Sequence, residues 1–152
     1  ETVIIRRSCL QNIDSIFDKR FNLIEEFDFF CRLSYQWHLD YVDEVLAKWR
    51  LREDSMTWSH RSEFPKERRI MIEKLKKVIP NFQKDYHKEI SLFNKNTYYD
   101  EAIVHFMKKQ YSKSRKVISQ YKFKYIKIFI FYFLTYVPII LKAYYKRKGH
   151  IV

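Results

Sequence analysis

Apolar positions along the chain change rhythm three times. Thr2-Val3-Ile4-Ile5 is a run of β-branched residues and predicts a short buried strand. Ser8, just after it, is placed to cap a short helix through Ile13. The rhythm then turns helical: Leu23, Phe27, Phe30, Cys31, Ser34 and Trp37 or His38 recur at three-to-four spacing. Asn22 is the expected cap of this helix. Glu25, Glu26 and Asp28 crowd its first turns, where the helix dipole favours negative charge. Residues 39–50 read as extended, with a kink at Asp43-Glu44, and residues 51–62 as a polar loop. Pro65 suits the first turn of another helix, with Ile70, Met71, Ile72, Leu75 and Val78 as its apolar face and Pro80 ending it. Further helices are predicted from near Pro80, with Phe82, Tyr86 and Ile90 on one side, and over residues 98–110.

The third rhythm is an uninterrupted one. Residues 128–141, Ile-Phe-Ile-Phe-Tyr-Phe-Leu-Thr-Tyr-Val-Pro-Ile-Ile-Leu, carry no charge. As a helix this run is about 21 Å long at ~1.5 Å per residue, against about 30 Å for the hydrocarbon core of a bilayer. It is short for a span unless Lys127 and Lys142 snorkel, and Pro138 predicts a kink within it. Tyr125, Tyr132, Tyr136, Tyr144 and Tyr145 suit an interfacial depth. A membrane-inserted or membrane-lying helix is the expectation, with a buried core helix as the alternative.

Charge sharpens that division. The 152 residues hold 30 Lys and Arg against 18 Asp and Glu, a net +12. Residues 1–101 are neutral, with 18 basic and 18 acidic side chains; residues 102–152 carry 12 basic and no acidic ones. Such a tail points to a polyanion, either an anionic membrane surface or nucleic acid. Lys, Arg and Tyr interleaved over residues 108–127 would suit phosphates and stacked bases, but the uncharged run offers nucleic acid nothing to hold. An anionic membrane surface is therefore the expected partner, and nucleic acid is not. With 47% apolar residues the chain can bury a core. Its single glycine, Gly149, excludes a P-loop and a dinucleotide fingerprint. Cys9 and Cys31 match no zinc spacing and read as reduced, buried thiols.

The acidic cluster has two readings. Three carboxylates in four residues, bordered by Phe27, Phe29 and Phe30, repel one another and lose solvent, which raises carboxyl pKa values and suits a general base. The plainer reading is a helix start that favours acids. Context bears on the choice. Phe17-Asp18-Lys19-Arg20-Phe21-Asn22-Leu23-Ile24-Glu25-Glu26-Phe27-Asp28-Phe29-Phe30-Cys31-Arg32-Leu33 resembles the F-D-x-x-F-x-x-x-E-D-x-D-L-x-x-R-L pattern of family-two glycosyltransferases of the GT-A fold. Val3-Ile4-Ile5-Arg6-Arg7 looks like the strand and arginine before that pattern. Residues 39–50 look like the family's y-V-D-E-x-L-A-x-Y-R segment, and Arg52, Ser55, Thr57 and Trp58 fall where H-x-x-S-x-T-W often follows.

The resemblance runs from residue 2 to about residue 80. It implies an α/β fold: the acceptor-side fragment of a GT-A, Rossmann-like domain over residues 1–58. A helical extension over 59–112 and a basic, aromatic membrane-associating helix and tail over 113–152 would follow. It implies an inverting glycosyltransferase that moves a sugar from a nucleotide-diphosphate donor to a saccharide or lipid-linked acceptor in surface polysaccharide synthesis. The family's E-D pair falls on Glu25 and Glu26, so Glu26 would be the catalytic base, Glu25 would hold the helix start or orient the acceptor, and Asp28 would be a supporting acid. Arg50 would meet the donor diphosphate. Arg52 stands where the family has a histidine; a guanidinium cannot ligate a metal but can neutralise phosphate. Trp49 would stack on a sugar ring or simply pack. A divalent metal, Mg or Mn, is expected for the whole enzyme, with its ligands outside this chain, because no D-x-D motif with a suitable strand is present. The chain would be cut from its donor site, inactive alone, and located at the cytoplasmic face of the cell membrane. A basic, aromatic helical module that binds nucleic acid or membrane without catalysis is the alternative.

Overall fold

With one glycine in the whole chain, prolines and left-handed residues of other types divide this protein into its helices. The structure is a computed structural model and describes residues 3–11, 13, 15–48 and 59–147. Among these residues the regular elements are a 3-10 turn at Arg7–Leu10 and seven α-helices: α1 Glu25–Gln36, α2 Phe64–Val78, α3 Phe82–Asp85, α4 His87–Met107, α5 Tyr111–Ile118, α6 Ile126–Leu134 and α7 Pro138–Arg147. A second 3-10 turn, Ser119–Tyr121, follows α5. They form two compact units, Glu1–Tyr86 and His87–Val152, so α2 and α3 belong with α1 and not with α4 to α7.

This corrects the expected α/β architecture. No strand or sheet exists among the described residues. Val3-Ile4-Ile5 is irregular, and Ile4 is 99% exposed. A β-branched run becomes a strand only where another strand satisfies its backbone N–H and C=O groups, and none does so here. The helical described chain is therefore not a fragment of a Rossmann-like sheet. The described part of the 39–50 segment is likewise irregular, with a bend at Glu44. Ser8 lies inside the first 3-10 turn, and Arg6 occupies its cap.

The helix expected over residues 23–38 is present, but it starts at Glu25 with Ile24 at the cap and no side-chain cap bond. Asn22 does not cap it: it lies two residues before the cap position, and its backbone N–H donates to Glu67. The buried face also differs from the expected one. Asp28, Phe29 and Leu33 point inward, while Phe27 and Trp37 are exposed. Aromatic residues occur all round this helix, so spacing alone does not choose the face.

In α2, Pro65 sits in the first turn as expected, and the helix ends at Val78, before Pro80. Asn81, at φ 56°, turns the chain into the short α3. The helix expected from near Pro80 is broken at Tyr86, between α3 and α4, and α4, of 21 residues, runs without a break into the helix expected over residues 98–110. Helix α4 ends through backbone bonds from Lys109 N–H to the Phe106 carbonyl and from Gln110 N–H to the His105 carbonyl, both 2.9 Å. That is the paired closure in which a glycine usually takes the left-handed position; here Lys109 takes it, at φ 59°.

The second unit is built on one apolar cluster. Ala102, Ile103 and Phe106 of α4, Ile118 of α5, Ile128 and Phe131 of α6, and Leu141 and Tyr145 of α7 are all buried together. Phe131 meets Tyr99, Phe106 and Tyr145 edge-on, with ring centroids 5.2, 6.0 and 6.3 Å away. Edge-to-face contacts of this kind add about 0.5–1.5 kcal/mol each beyond burial. Ser114 Oγ donates to the Ala102 carbonyl at 2.7 Å and so ties α5 to α4.

A left-handed lysine costs roughly 1 kcal/mol that glycine avoids. Lys109→Gly should therefore raise unfolding stability by about that amount, read as a higher denaturant midpoint with an unchanged slope.

Candidate functional site

The start of α1 is held by two side chains of α2. Glu67, itself buried, accepts from the backbone N–H of Asn22 with Oε1 at 3.1 Å and from that of Leu23 with Oε2 at 3.0 Å. Both oxygens of one carboxylate thus fix the two residues that lead into Ile24 and α1. Lys74, one helical face further on, donates to Asp28 Oδ2 at 2.7 Å and pairs with Asp18 Oδ2 at 2.9 Å. Residues 67 and 74 are seven apart, two turns of one helix, so both reach the same loop.

Asp28 is the centre of this arrangement and is 0% exposed. Arg32, one turn later on α1, donates to the same Oδ2 at 3.0 Å. The rest of the Arg32 guanidinium donates to the carbonyls of Ser15 and Ile16, both at 2.9 Å, and so pins the loop before α1. Asp28 Oδ1 is buried and finds no hydrogen-bond partner among the described residues; Glu25 Oε2 is in the same condition. Around the ion pairs lie rings. Arg32 stands 5.9 Å from the Phe29 centroid and Lys74 5.4 Å from that of Phe21.

The three acids named from the sequence therefore occupy three different environments. Asp28 is a buried, doubly paired anion. Glu25 is half-buried, and Glu26 is exposed. Asp18, not singled out from the sequence as a site residue, joins the same network. The Arg20 side chain above all, then its backbone N–H and Lys74, hold the Asp18 carboxyl well below the usual carboxylate range against the opposing effect of burial. A signal for Asp18 did exist, but none for Lys74. Asp18-x-Arg20 is a short opposite-charge pair, but nothing in the sequence shows that residue 74 reaches residues 18 and 28. Cys31 and Cys9 are free and half-buried. Burial first, and the Asp28 carboxylate second, push the Cys31 thiol up, which keeps it protonated at neutral pH.

Trp49, Arg50 and Arg52 lie outside the described residues. Among those described, no group of three His, Cys, Asp or Glu side chains is placed to hold a metal ion. Asp18 and Asp28, the closest approach to one, already share the Lys74 ammonium, which a divalent cation would have to displace. Comparison of the chain with protein-family models, curated proteins and solved structures finds no match.

Removing one partner of a buried ion pair costs about 3–5 kcal/mol, since the other charge stays buried. Lys74→Met should destabilise the protein by an amount near the lower end, because Arg32 remains. Adding Asp28→Leu to that variant should recover part of the loss, and a double-mutant cycle by urea unfolding checks both. Acid should act through Asp18. Its carboxyl titrates lower in the folded chain than the ~3.9 of an unfolded aspartate, so its contribution is complete above that value. It is lost as pH falls through the folded value. Stability should drop below about pH 4, and Asp18→Asn should flatten that part of the profile.

Proposed function

We propose that this chain carries the acceptor-side carboxylates of an inverting glycosyltransferase, with Glu26 as the general base. The observation that carries the reading is the division of labour in the first turn of α1: Glu26 is exposed, while Asp28 in the same turn is neutralised by Arg32 and Lys74. A base that takes a proton from an incoming hydroxyl has to be reachable, and of the three acids Glu26 is the one on the surface. The ordered series of motifs between residues 2 and 80, with the acid pair at the head of a helix, supports the same reading.

In such a transfer a Glu26 oxygen takes the acceptor hydroxyl's proton as that hydroxyl's oxygen bonds to the anomeric carbon. The bond from that carbon to the diphosphate oxygen breaks on the opposite face, and its electron pair leaves with the nucleotide diphosphate. Attack opposite the leaving group inverts the anomeric centre. Glu25, half-buried in the same turn, would hold the start of α1 or orient the acceptor. Asp28 is better read as the residue that positions α1 than as a proton carrier, since both cations already occupy its Oδ2. Arg50 and Arg52 would neutralise the donor diphosphate, and Trp49 would lie against a sugar ring. Metal stabilisation of the leaving group belongs to the whole enzyme, and no described residue is assigned to it. The acceptor would be a saccharide or a lipid-linked saccharide in surface polysaccharide synthesis at the cytoplasmic face of the membrane.

Glu26→Gln in the full-length protein should lower kcat by roughly 100-fold or more with KM for the donor little changed. Glu25→Gln should have a smaller effect, and Asp28→Asn should act mainly on stability. Sugar transfer followed across a panel of nucleotide sugars checks this. Wild-type-like turnover by the Glu26 variant would exclude Glu26 as the base, and residues 1–152 alone are expected to give no transfer.

A further inference from the structure

The apolar run of the second unit has two faces, and only one belongs to its core. Ile128 and Phe131 of α6 and Leu141 and Tyr145 of α7 are buried in the cluster described above. On α6, Ile126, Phe129, Ile130 and Phe133 are exposed, at the i, i+3, i+4, i+7 spacing of one helix face. Val137, Ile139, Ile140 and Tyr144 continue the exposed apolar surface onto α7.

Between the two helices the chain turns sharply. Among the described residues no single helix is long and apolar enough to cross a membrane; α6 and the apolar part of α7 together have the composition, but they are bent by 120°. The bend is built from specific contacts. Pro138 opens α7. Thr135 is buried and donates from Oγ1 to the Tyr132 carbonyl at 2.6 Å. Arg115 of α5 donates to the Thr135 carbonyl at 3.3 Å, and its guanidinium lies 4.2 Å from the Tyr136 ring centroid. Thr135 and Tyr136 are the middle of the uncharged run. Were the run a span, its middle, with Arg115 attached, would sit near the centre of the bilayer, where a guanidinium is most costly.

We infer that α6 and α7 form a hairpin that lies in the plane of an anionic bilayer surface, with its outward face sunk among the upper acyl chains and neither helix crossing. The charge around this face selects the occupant. Residues 102–152 hold 12 basic side chains and no acidic one, and the exposed Lys124, Lys127 and Lys142 flank the uncharged run 128–141. A second copy of the chain would bring the like charge of its own Lys124, Lys127 and Lys142 to the same surface. Nucleic acid would satisfy the cations and leave the apolar face in water. An anionic lipid surface satisfies both, the lysines with phosphates and the rings with hydrocarbon, at the depth of about 5–10 Å that in-plane amphipathic helices reach. This inference does not depend on a transferase activity.

The test adds the full chain, with Cys9→Ser and Cys31→Ser, to vesicles of phosphatidylcholine with 30% phosphatidylglycerol and to vesicles of phosphatidylcholine alone. It should float with the anionic vesicles and at least roughly tenfold less with the neutral ones; no flotation, or equal flotation, overturns the inference. Lys124→Cys and Lys142→Cys, each added in turn to that background, should both react from outside with a membrane-impermeant maleimide. Protection of one flank but not the other would show a span and overturn it. Phe129→Ser with Phe133→Ser should reduce anionic binding by on the order of tenfold or more while the helical circular dichroism is kept. If that pair disturbs folding, Ile139→Ser with Ile140→Ser reads the same face. Unchanged flotation of a folded variant overturns the assignment of the face.

Discussion

A carboxylate taken out of water has to be neutralised, and the first unit is organised around that requirement at Asp28. Its charge is met from within α1 by Arg32 and from α2 by Lys74. Each cation is then used a second time. Arg32 holds the carbonyls of the preceding loop, and Lys74 holds Asp18. One buried anion thereby links two helices and the loop between residues 15 and 24. Glu67 completes the linkage by fixing the backbone immediately before α1. Buried ion pairs add little net stability compared with apolar packing, because desolvation offsets most of the attraction. What they do here is set register: α1 can begin only where Asp28 reaches Lys74.

That register separates the chemistry of three neighbouring acids. With Asp28 directed inward, Glu26, two residues earlier and about 200° round the helix, is directed outward. A sequence of closely spaced carboxylates thus becomes one structural anion, one half-buried acceptor and one surface group. In the glycosyltransferase proposed above, the base would be the surface one, Glu26. The separation also moves Asp28 from a supporting acid to a positioning one.

The second unit depends on a different balance. Its helices bury one side of a strongly apolar hairpin against α4 and α5, and the other side remains uncovered. Phe106 and Phe131 belong to the buried cluster, and the exposed Phe129 and Phe133 lie outside it. Exposed apolar faces of this extent beside a uniform positive charge mark an interaction surface rather than a packing defect.

Much of the helical organisation was legible in the chain. Pro65 marked the start of α2 and Pro80 its end; the acid-rich turn marked α1; the loss of all acids after residue 101 marked the electrostatic character of the tail. These features are local, and local sterics or a simple count decide them. The errors were of another kind. Val3-Ile4-Ile5 had the composition of a strand, but a strand needs a partner, and composition cannot supply one. The inward face of α1 could not be chosen from spacing, because aromatic residues surround it. Lys74 lies 46 positions from Asp28, and no local pattern announces such a pair. The uncharged run was visible at once as a single segment. That it bends by 120° shows only in the folded chain, where Arg115 reaches Thr135 from another helix. Sequence alone determined where helices can form and where charge accumulates, since those depend on neighbouring residues. Tertiary structure decided which carboxylate is buried and which way the apolar run folds, since those depend on groups brought together only when the chain is packed.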